Sequence, residues 1–315
     1  YLRDAIIMLK RFMAPGRPEF PAHSTAVDTL TQKTLTRFVR RAAFTATQPT
    51  NVTGRVGALK KLPPGSIVLI PAFDVSAINM VLRLSEGRGG MFDSSSPVPK
   101  YHPSGLEPRR IHMRNRSGRP MLAKPTADVE FVDDSFWIPH RECLSALKCT
   151  HAELGFYHDI WPVVLQAVSD LLTEAGSSVK STDVENWYRG WSRYQMDAVS
   201  ARRTIVQSLG VATGLRSIDI PFAVGETWRR LSPLVEEIAN ASGASDAEME
   251  TYAAVRREMQ RIAFGPSAGD TAKLVSLLRA GLVTIGPASE VPQSYDACLG
   301  TTMVENRVAH STQID

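Results

Sequence analysis

The run Ile67-Val-Leu-Ile70, set between Leu62-Pro-Pro-Gly-Ser and Pro71-Ala72, constrains the fold more than any other segment. Consecutive large apolar residues cannot alternate between core and solvent, so they read as a strand buried on both faces, the kind found inside a parallel sheet. Pro63-Pro-Gly65 supplies the turn before it. After it, Ile78, Val81 and Leu82 fall on one side of a helix running from Val75 to Leu84. Strand, tight turn and helix in that order make half of a βαβ unit.

A dinucleotide-binding βαβ unit needs small residues at the strand-to-helix turn, so that backbone can approach a pyrophosphate at the head of the helix. Here the turn is Pro71-Ala72-Phe73-Asp74-Val75-Ser76, with no glycine. Asp74 sets a carboxylate where phosphate charge would sit, and Phe73 fills space that close approach requires empty. Taken alone, the segment is a buried strand leading into a helix. Glycines follow in Glu86-Gly87-Arg88-Gly89-Gly90. They either end the helix, as glycine at a C-cap does, or form with Arg88 an anion-holding loop over the strand ends.

The remaining pattern divides the chain near residue 135. Residues 1–61 predict a helical lead-in, with helices over 1–13 and 27–44. Residues 87–132 are rich in Gly, Pro and Ser, with short extended pieces at Met91-Phe92, Arg110–Met113 and Asp128–Val132. Helical periodicity then covers Glu142–Leu147, Asp159–Glu174, Asp183–Val199, Ala201–Thr213, Phe222–Ser242, Ala247–Ile262 and Asp270–Arg279, several with capping residues such as Ser181-Thr-Asp-Val-Glu at their starts. Leu282-Val-Thr-Ile-Gly-Pro returns to a strand. The tryptophans 137, 161, 187, 191 and 228 read as core anchors between helices.

Lys and Arg number 36 against 32 Asp and Glu, a net charge of +4, and aromatics do not interleave with the basic clusters. That argues against a nucleic-acid surface and for anionic small molecules. No apolar stretch approaches the roughly 20 residues of a membrane helix. Three cysteines cannot build a disulfide framework, and an odd count points to a cytoplasmic location. His140, Cys143, Cys149 and His151 crowd together but with a five-residue gap inside a predicted helix, so no metal site is expected. His102 and the pair His158-Asp159 are candidate acid/base groups; the latter reads equally as a polar helix start.

Six segments in order resemble the large bacterial FAD/NAD(P)-binding proteins, flavin-dependent oxidoreductases related to two-dinucleotide monooxygenases. They are Leu62–Ile70, Leu84–Phe92, Tyr101–Arg109, Arg116–Lys124, Phe156–Val164 and Phe264–Pro287. The resemblance implies an α/β fold: a nicotinamide-type dinucleotide-binding domain, incomplete and Rossmann-like, over 62–135, followed by a mainly α-helical domain over 136–282. Residues 283–315 would then be a return strand and tail toward a flavin domain. It implies FAD and NAD(P)H as cofactors and a small-molecule substrate. Family members carry a flavin-binding Gly-x-Gly-x-x-Gly that this chain lacks, and a glycine-containing turn where it has Ala72-Phe73-Asp74-Val75. The expectation is therefore an internal piece of a longer enzyme or a diverged scaffold. Tyr1 in place of a start methionine and an ending within a strand-like stretch favour the piece. The cofactor-binding candidates are Ala72, Phe73, Asp74, Ser76, Gly87, Arg88, Gly89, Gly90, Arg116, Arg119 and Lys124. The last three belong to a cationic Gly/Pro-containing stretch that also includes Arg114 and has a solvated basic loop as its alternative reading.

Overall fold

The computed structural model describes residues 59, 62–125, 131–148, 154–241, 245–292, 294–299 and 304–305. All belong to one compact unit, Thr50–Asp315. The predicted helices over 1–13 and 27–44, and most of the extended piece at 128–132, lie outside the described residues.

The doubly buried run forms β1 (Ile67–Ile70). It leads through residues 71–74 into α1 (Val75–Ser85), then into a hairpin of β2 (Met91–Asp93) and β3 (Lys100–His102), and back as β4 (Arg110–Asn115). β4 pairs parallel with β1, Ile70 beside Met113. The chain then leaves the sheet for more than 150 residues and returns as β5 (Val283–Pro287), parallel to β4. A short connection crosses to β6 (Ala297–Leu299), parallel to β1 on its other side, and β7 (Val304–Glu305) closes the edge antiparallel.

The sheet order is β5-β4-β1-β6-β7. The four parallel strands thus stand third, second, first, fourth in chain order, and the direction of winding reverses between β1 and β6. Residues 283–299 therefore rejoin the sheet begun at residue 67, and the helical part is an insertion between β4 and β5. A boundary near 135 separates segments of sequence, whereas the sheet unites its two ends.

The pleat sorts the sheet. Val68, Ile70, Ile111, Met113, Val283 and Ile285 fall on one face and are buried with Ile78 and Val81 of α1. Ile205 and Leu209 of α5 (Ala198–Ala212) and Leu274 and Leu278 of α8 (Ala268–Arg279) complete this core. The alternate residues His112, Arg114 and Thr284 occupy the opposite face. Buried Arg114 is satisfied there by carbonyl and hydroxyl oxygens: Nε donates to Glu290 O at 3.0 Å, Nη1 to Met113 O at 2.9 Å and Nη2 to Thr284 Oγ1 at 3.2 Å.

The insertion is built from α2 (Ile138–Lys148), α3 (Trp161–Glu174), α4 (Ser181–Arg193), α5, α6 (Ile220–Ala241) and α7 (Asp246–Ala263), with α8 as the crossover back to β5. Its core gathers Trp137, Leu144, Phe156, Trp161, Trp228, Tyr252 and Met259. Four of the five tryptophans are buried and Trp187 packs from the margin, stacked on Trp191 with centroids 5.6 Å apart. The helix expected from Asp183 to Val199 ends at Arg193, and the one expected from Ala201 begins at Ala198. The chain extends at Tyr194 and restarts at Asp197, whose Oδ1 accepts from Ser200 N at 2.9 Å and caps α5. Asp159 lies within the helical turn Phe156–Ile160 that leads into α3, and its carboxylate reaches back to accept from Gly155 N at 2.8 Å.

Candidate functional site

Ligands of open α/β sheets sit outside the carboxyl ends of the strands, where the winding reverses. Here that place is the turn after β1, Pro71–Asp74, with the turn after β4, Arg116–Gly118, beside it. The register brings both to the same edge. Of the residues singled out in sequence, Ala72, Phe73, Asp74, Ser76 and Arg116 gather there.

The turn after β1 is occupied by its own side chains. Asp74 adopts extended backbone angles (φ −115°, ψ 177°) as the N-cap of α1, and its Oδ1 accepts the Ala77 amide at 2.7 Å. Its carbonyl takes the Ile78 amide at 3.0 Å. A carboxylate at this end also complements the helix dipole. Phe73 does not project into the crevice: it is 3% exposed and packs in the sheet core with Ile70 and Ala77. Space above the turn is therefore limited by Asp74 and not by the aromatic ring. Ser76 is exposed on the first turn of α1.

Gly87, Arg88, Gly89 and Gly90 lie at the other end of the sheet, because the 11 residues of α1 carry the chain back about 16 Å toward the strands' amino ends. Arg88 is spent there. Its Nη2 donates to Leu59 O at 2.6 Å and Leu62 O at 2.8 Å, and Nη1 to Leu106 O at 2.9 Å, tying together the segments that enter β1 and β4. Gly89 takes φ 93° and caps the preceding turn. Gly90 admits a buried hydroxyl: a Cβ would stand 2.1 Å from Tyr101 Oη and 2.8 Å from Glu107 Oε1. Glu107 organises this corner, accepting from Tyr101 Oη at 2.7 Å and from the amides of Ser104 and Gly105 at 2.7 and 2.8 Å. Burial pushes its carboxyl up, yet these hydrogen bonds outweigh it and hold the group below the ordinary carboxylate value. His102 is exposed on β3 at this same hairpin.

Arg119 is likewise engaged. It is 7% exposed, its Nη2 reaches Glu258 Oε1 of α7 at 2.8 Å, and its Nη1 donates to Tyr194 O at 3.0 Å. Trp191 Nε1 donates to the other oxygen of Glu258 at 3.2 Å. Lys124 is exposed, with its backbone amide on Pro266 O at 3.0 Å beside the start of α8. Arg116 differs from Arg119: its side chain, like that of Lys124, is exposed and makes no hydrogen bond or ion pair to a described residue, while its carbonyl accepts from Gln195 Nε2 at 3.2 Å.

Sequence reasoning missed the polar stripe on the second sheet face, where His112 Nδ1 lies 2.8 Å from Thr284 Oγ1. Burial, then Arg114 and Arg110, push the His112 pKa down. The alternation His112-Met113-Arg114 within a strand was the available signal. Of the cysteine and histidine group near residue 145, Cys149 and His151 lie outside the described residues. His140 Nε2 faces Asp170 Oδ2 at 3.6 Å, and Cys143 is exposed. No described helix is long and apolar enough to cross a membrane.

No known family model matches the chain. It is 30% identical over 122 residues to nitrosuccinic acid synthase npaA of Aspergillus oryzae (strain ATCC 42149 / RIB 40), a match covering 37% of this chain and 18% of that protein. It is 30% identical over 116 residues to the L-aspartate N-monooxygenase (nitrosuccinate-forming) of Streptomyces cremeus, covering 35% of this chain and 17% of the relative. The chain thus matches less than a fifth of the length of either relative. What is shared is a monooxygenase-like relationship over about a third of the sequence.

Proposed function

We propose that this chain is the α/β lobe and inserted helical lobe of a flavin-dependent, monooxygenase-like oxidoreductase. The observation that carries the reading is the parallel order β5-β4-β1-β6 with its reversal beside β1, the arrangement of a Rossmann-like dinucleotide domain, in a chain similar to two enzymes of nitrosuccinate formation. The substrate class is a small amino acid whose amine is oxidised. Reduced FAD, held by segments other than the described ones, would activate dioxygen; the turn after β1, Pro71–Asp74, has no glycine to hold it.

The nicotinamide cofactor does not fit the turn after β1. Ala72, Phe73 and Asp74 each carry a Cβ where close backbone approach is needed, and the Asp74 carboxylate stands at the helix head holding the Ala77 amide. No reduction step is therefore drawn through this turn. Arg116 is the residue that supports an anionic ligand at this edge, being the exposed cation at the end of the second parallel strand.

The test is flavin content and N-oxidation. The full-length protein, purified natively or reconstituted with FAD, is expected to show flavin absorption bands and, with photoreduced flavin and dioxygen, to oxidise the amine of L-aspartate or a similar amino acid. Using photoreduced flavin makes the outcome independent of nicotinamide binding. A full-length protein that takes up no flavin would overturn the reading.

A further inference from the structure

We propose that Asp74 is an exclusion residue: its carboxylate takes the place at the head of α1 that a dinucleotide's pyrophosphate would need, so the crevice between β1 and β6 rejects dinucleotide phosphate. Three observations converge. Strand order puts the ligand crevice at this turn and nowhere else along the described carboxyl edge. The Asp74 side chain holds the Ala77 amide at 2.7 Å, which removes a donor and leaves negative charge at the helix head. The turn begins with Pro71, which has no N–H to offer.

The buried position of Phe73 sharpens the assignment. With its ring in the core at 3% exposure, the ring cannot be what bars the crevice, and its removal would open a cavity below the sheet edge instead. The exclusion rests on one residue whose charge and capping role can be separated. Asn and Ser cap helices about as well as Asp does, so Asp74→Asn keeps shape and cap while removing charge. Asp74→Gly additionally opens the backbone.

This inference rests on the fold and not on the flavin reading, and the two fail separately: flavin content does not bear on it. The experiment is titration calorimetry of the full chain with NADPH, repeated with inorganic pyrophosphate, and folding of each variant checked by circular dichroism and thermal melting. The native chain is expected to give no saturable heat with either probe at roughly millimolar concentration. Asp74→Asn and Asp74→Gly are expected to gain at least tenfold in affinity for both probes. A native chain that binds NADPH in the micromolar range overturns the proposal. So do two folded variants that bind no more tightly than the native chain. If Asp74→Gly does not fold, Asp74→Asn decides alone.

Discussion

Two neighbouring turns at one edge of the same sheet have opposite chemistry. After β1, Asp74 takes up the Ala77 amide with its carboxylate and the Ile78 amide with its carbonyl, and leaves negative charge at the helix head. After β4, the backbone is held tightly but the charge is left free. Gly118 N donates to Asn115 O at 3.4 Å, and Ser117 O accepts the Met196 amide at 2.8 Å. Arg116 nonetheless points no donor at any described residue. The contrast teaches that a ligand-ready edge is recognised by the charge it leaves unspent, and that a turn can keep its place in the fold after a carboxylate has occupied its helix head.

The turn after β4 should be the more fragile of the two. Gly118 has φ 68°, and a Cβ there would meet Met196 O at 1.9 Å. Backbone strain of about 1–2 kcal/mol adds to an overpacking cost of about 1–3 kcal/mol. Gly118→Ala is therefore expected to lose roughly 3 kcal/mol in urea unfolding. Gly65, at φ 80° with open space around it, carries only the strain. A Gly65→Ala loss as large as that of Gly118→Ala would show that the Met196 contact contributes nothing.

Next in size is the ion pair that anchors the chain leaving that turn. Arg119 and Glu258 have side chains 9% and 17% exposed at 2.8 Å, and removing one partner of such a pair strands the other, at a cost of about 3 kcal/mol. Arg119→Met should destabilise by that order, while Arg119→Met with Glu258→Leu should recover most of it. Failure of the double variant to recover would mean that the carbonyl contact to Tyr194, not the charge pair, fixes this segment.

Much of this was legible in the sequence, and the reasons for the rest are local. Ile67–Ile70 announced β1 because a continuous apolar run admits few folds, and Asp74 announced a carboxylate at the helix head. What spacing could not show is direction: Gly87–Gly90 is close to Asp74 in sequence, yet a helix separates them by its full length. Nor could it show that Arg88 and Arg119 are consumed by carbonyls and by Glu258, since those partners come from distant segments. The insertion of the helices between β4 and β5 was hidden for the same reason, because pairing of Ile111 with Val283 has no signature in either segment alone.

The two ends of the sheet should also separate under acid. His112, on the polar face of β4, has its pKa lowered from 6.5 by burial and by Arg114 and Arg110. A lowered histidine makes the unfolded state the better proton binder, so stability falls as pH drops below 6.5. Glu107 has its pKa lowered from 4.5, so its contribution is present above that value and is lost as pH falls through the folded one. Thermal melting against pH should show a first decline beginning near 6.5, abolished by His112→Phe, and a second below 4.5, reduced by Glu107→Gln. A single decline confined to the carboxylate range would remove His112 from the account.

The smallest effect on stability is expected at the residue that matters most to the comparison. Arg116 is exposed and bonded to no described side chain, so Arg116→Ala should shift unfolding by less than about 0.5 kcal/mol. Its charge is a different matter. An arginine near the end of the second strand is where such sheets accommodate the 2′-phosphate that distinguishes NADPH from NADH. If Asp74 is what closes the crevice, then Asp74→Asn should bind NADPH more tightly than NADH, and adding Arg116→Ala should erase that preference while leaving NADH binding unchanged. Equal loss for both nucleotides would place Arg116 on the shared phosphates instead. A loss of stability above about 1 kcal/mol would show that Arg116 is spent within the fold after all, and the contrast between the two turns would then fail.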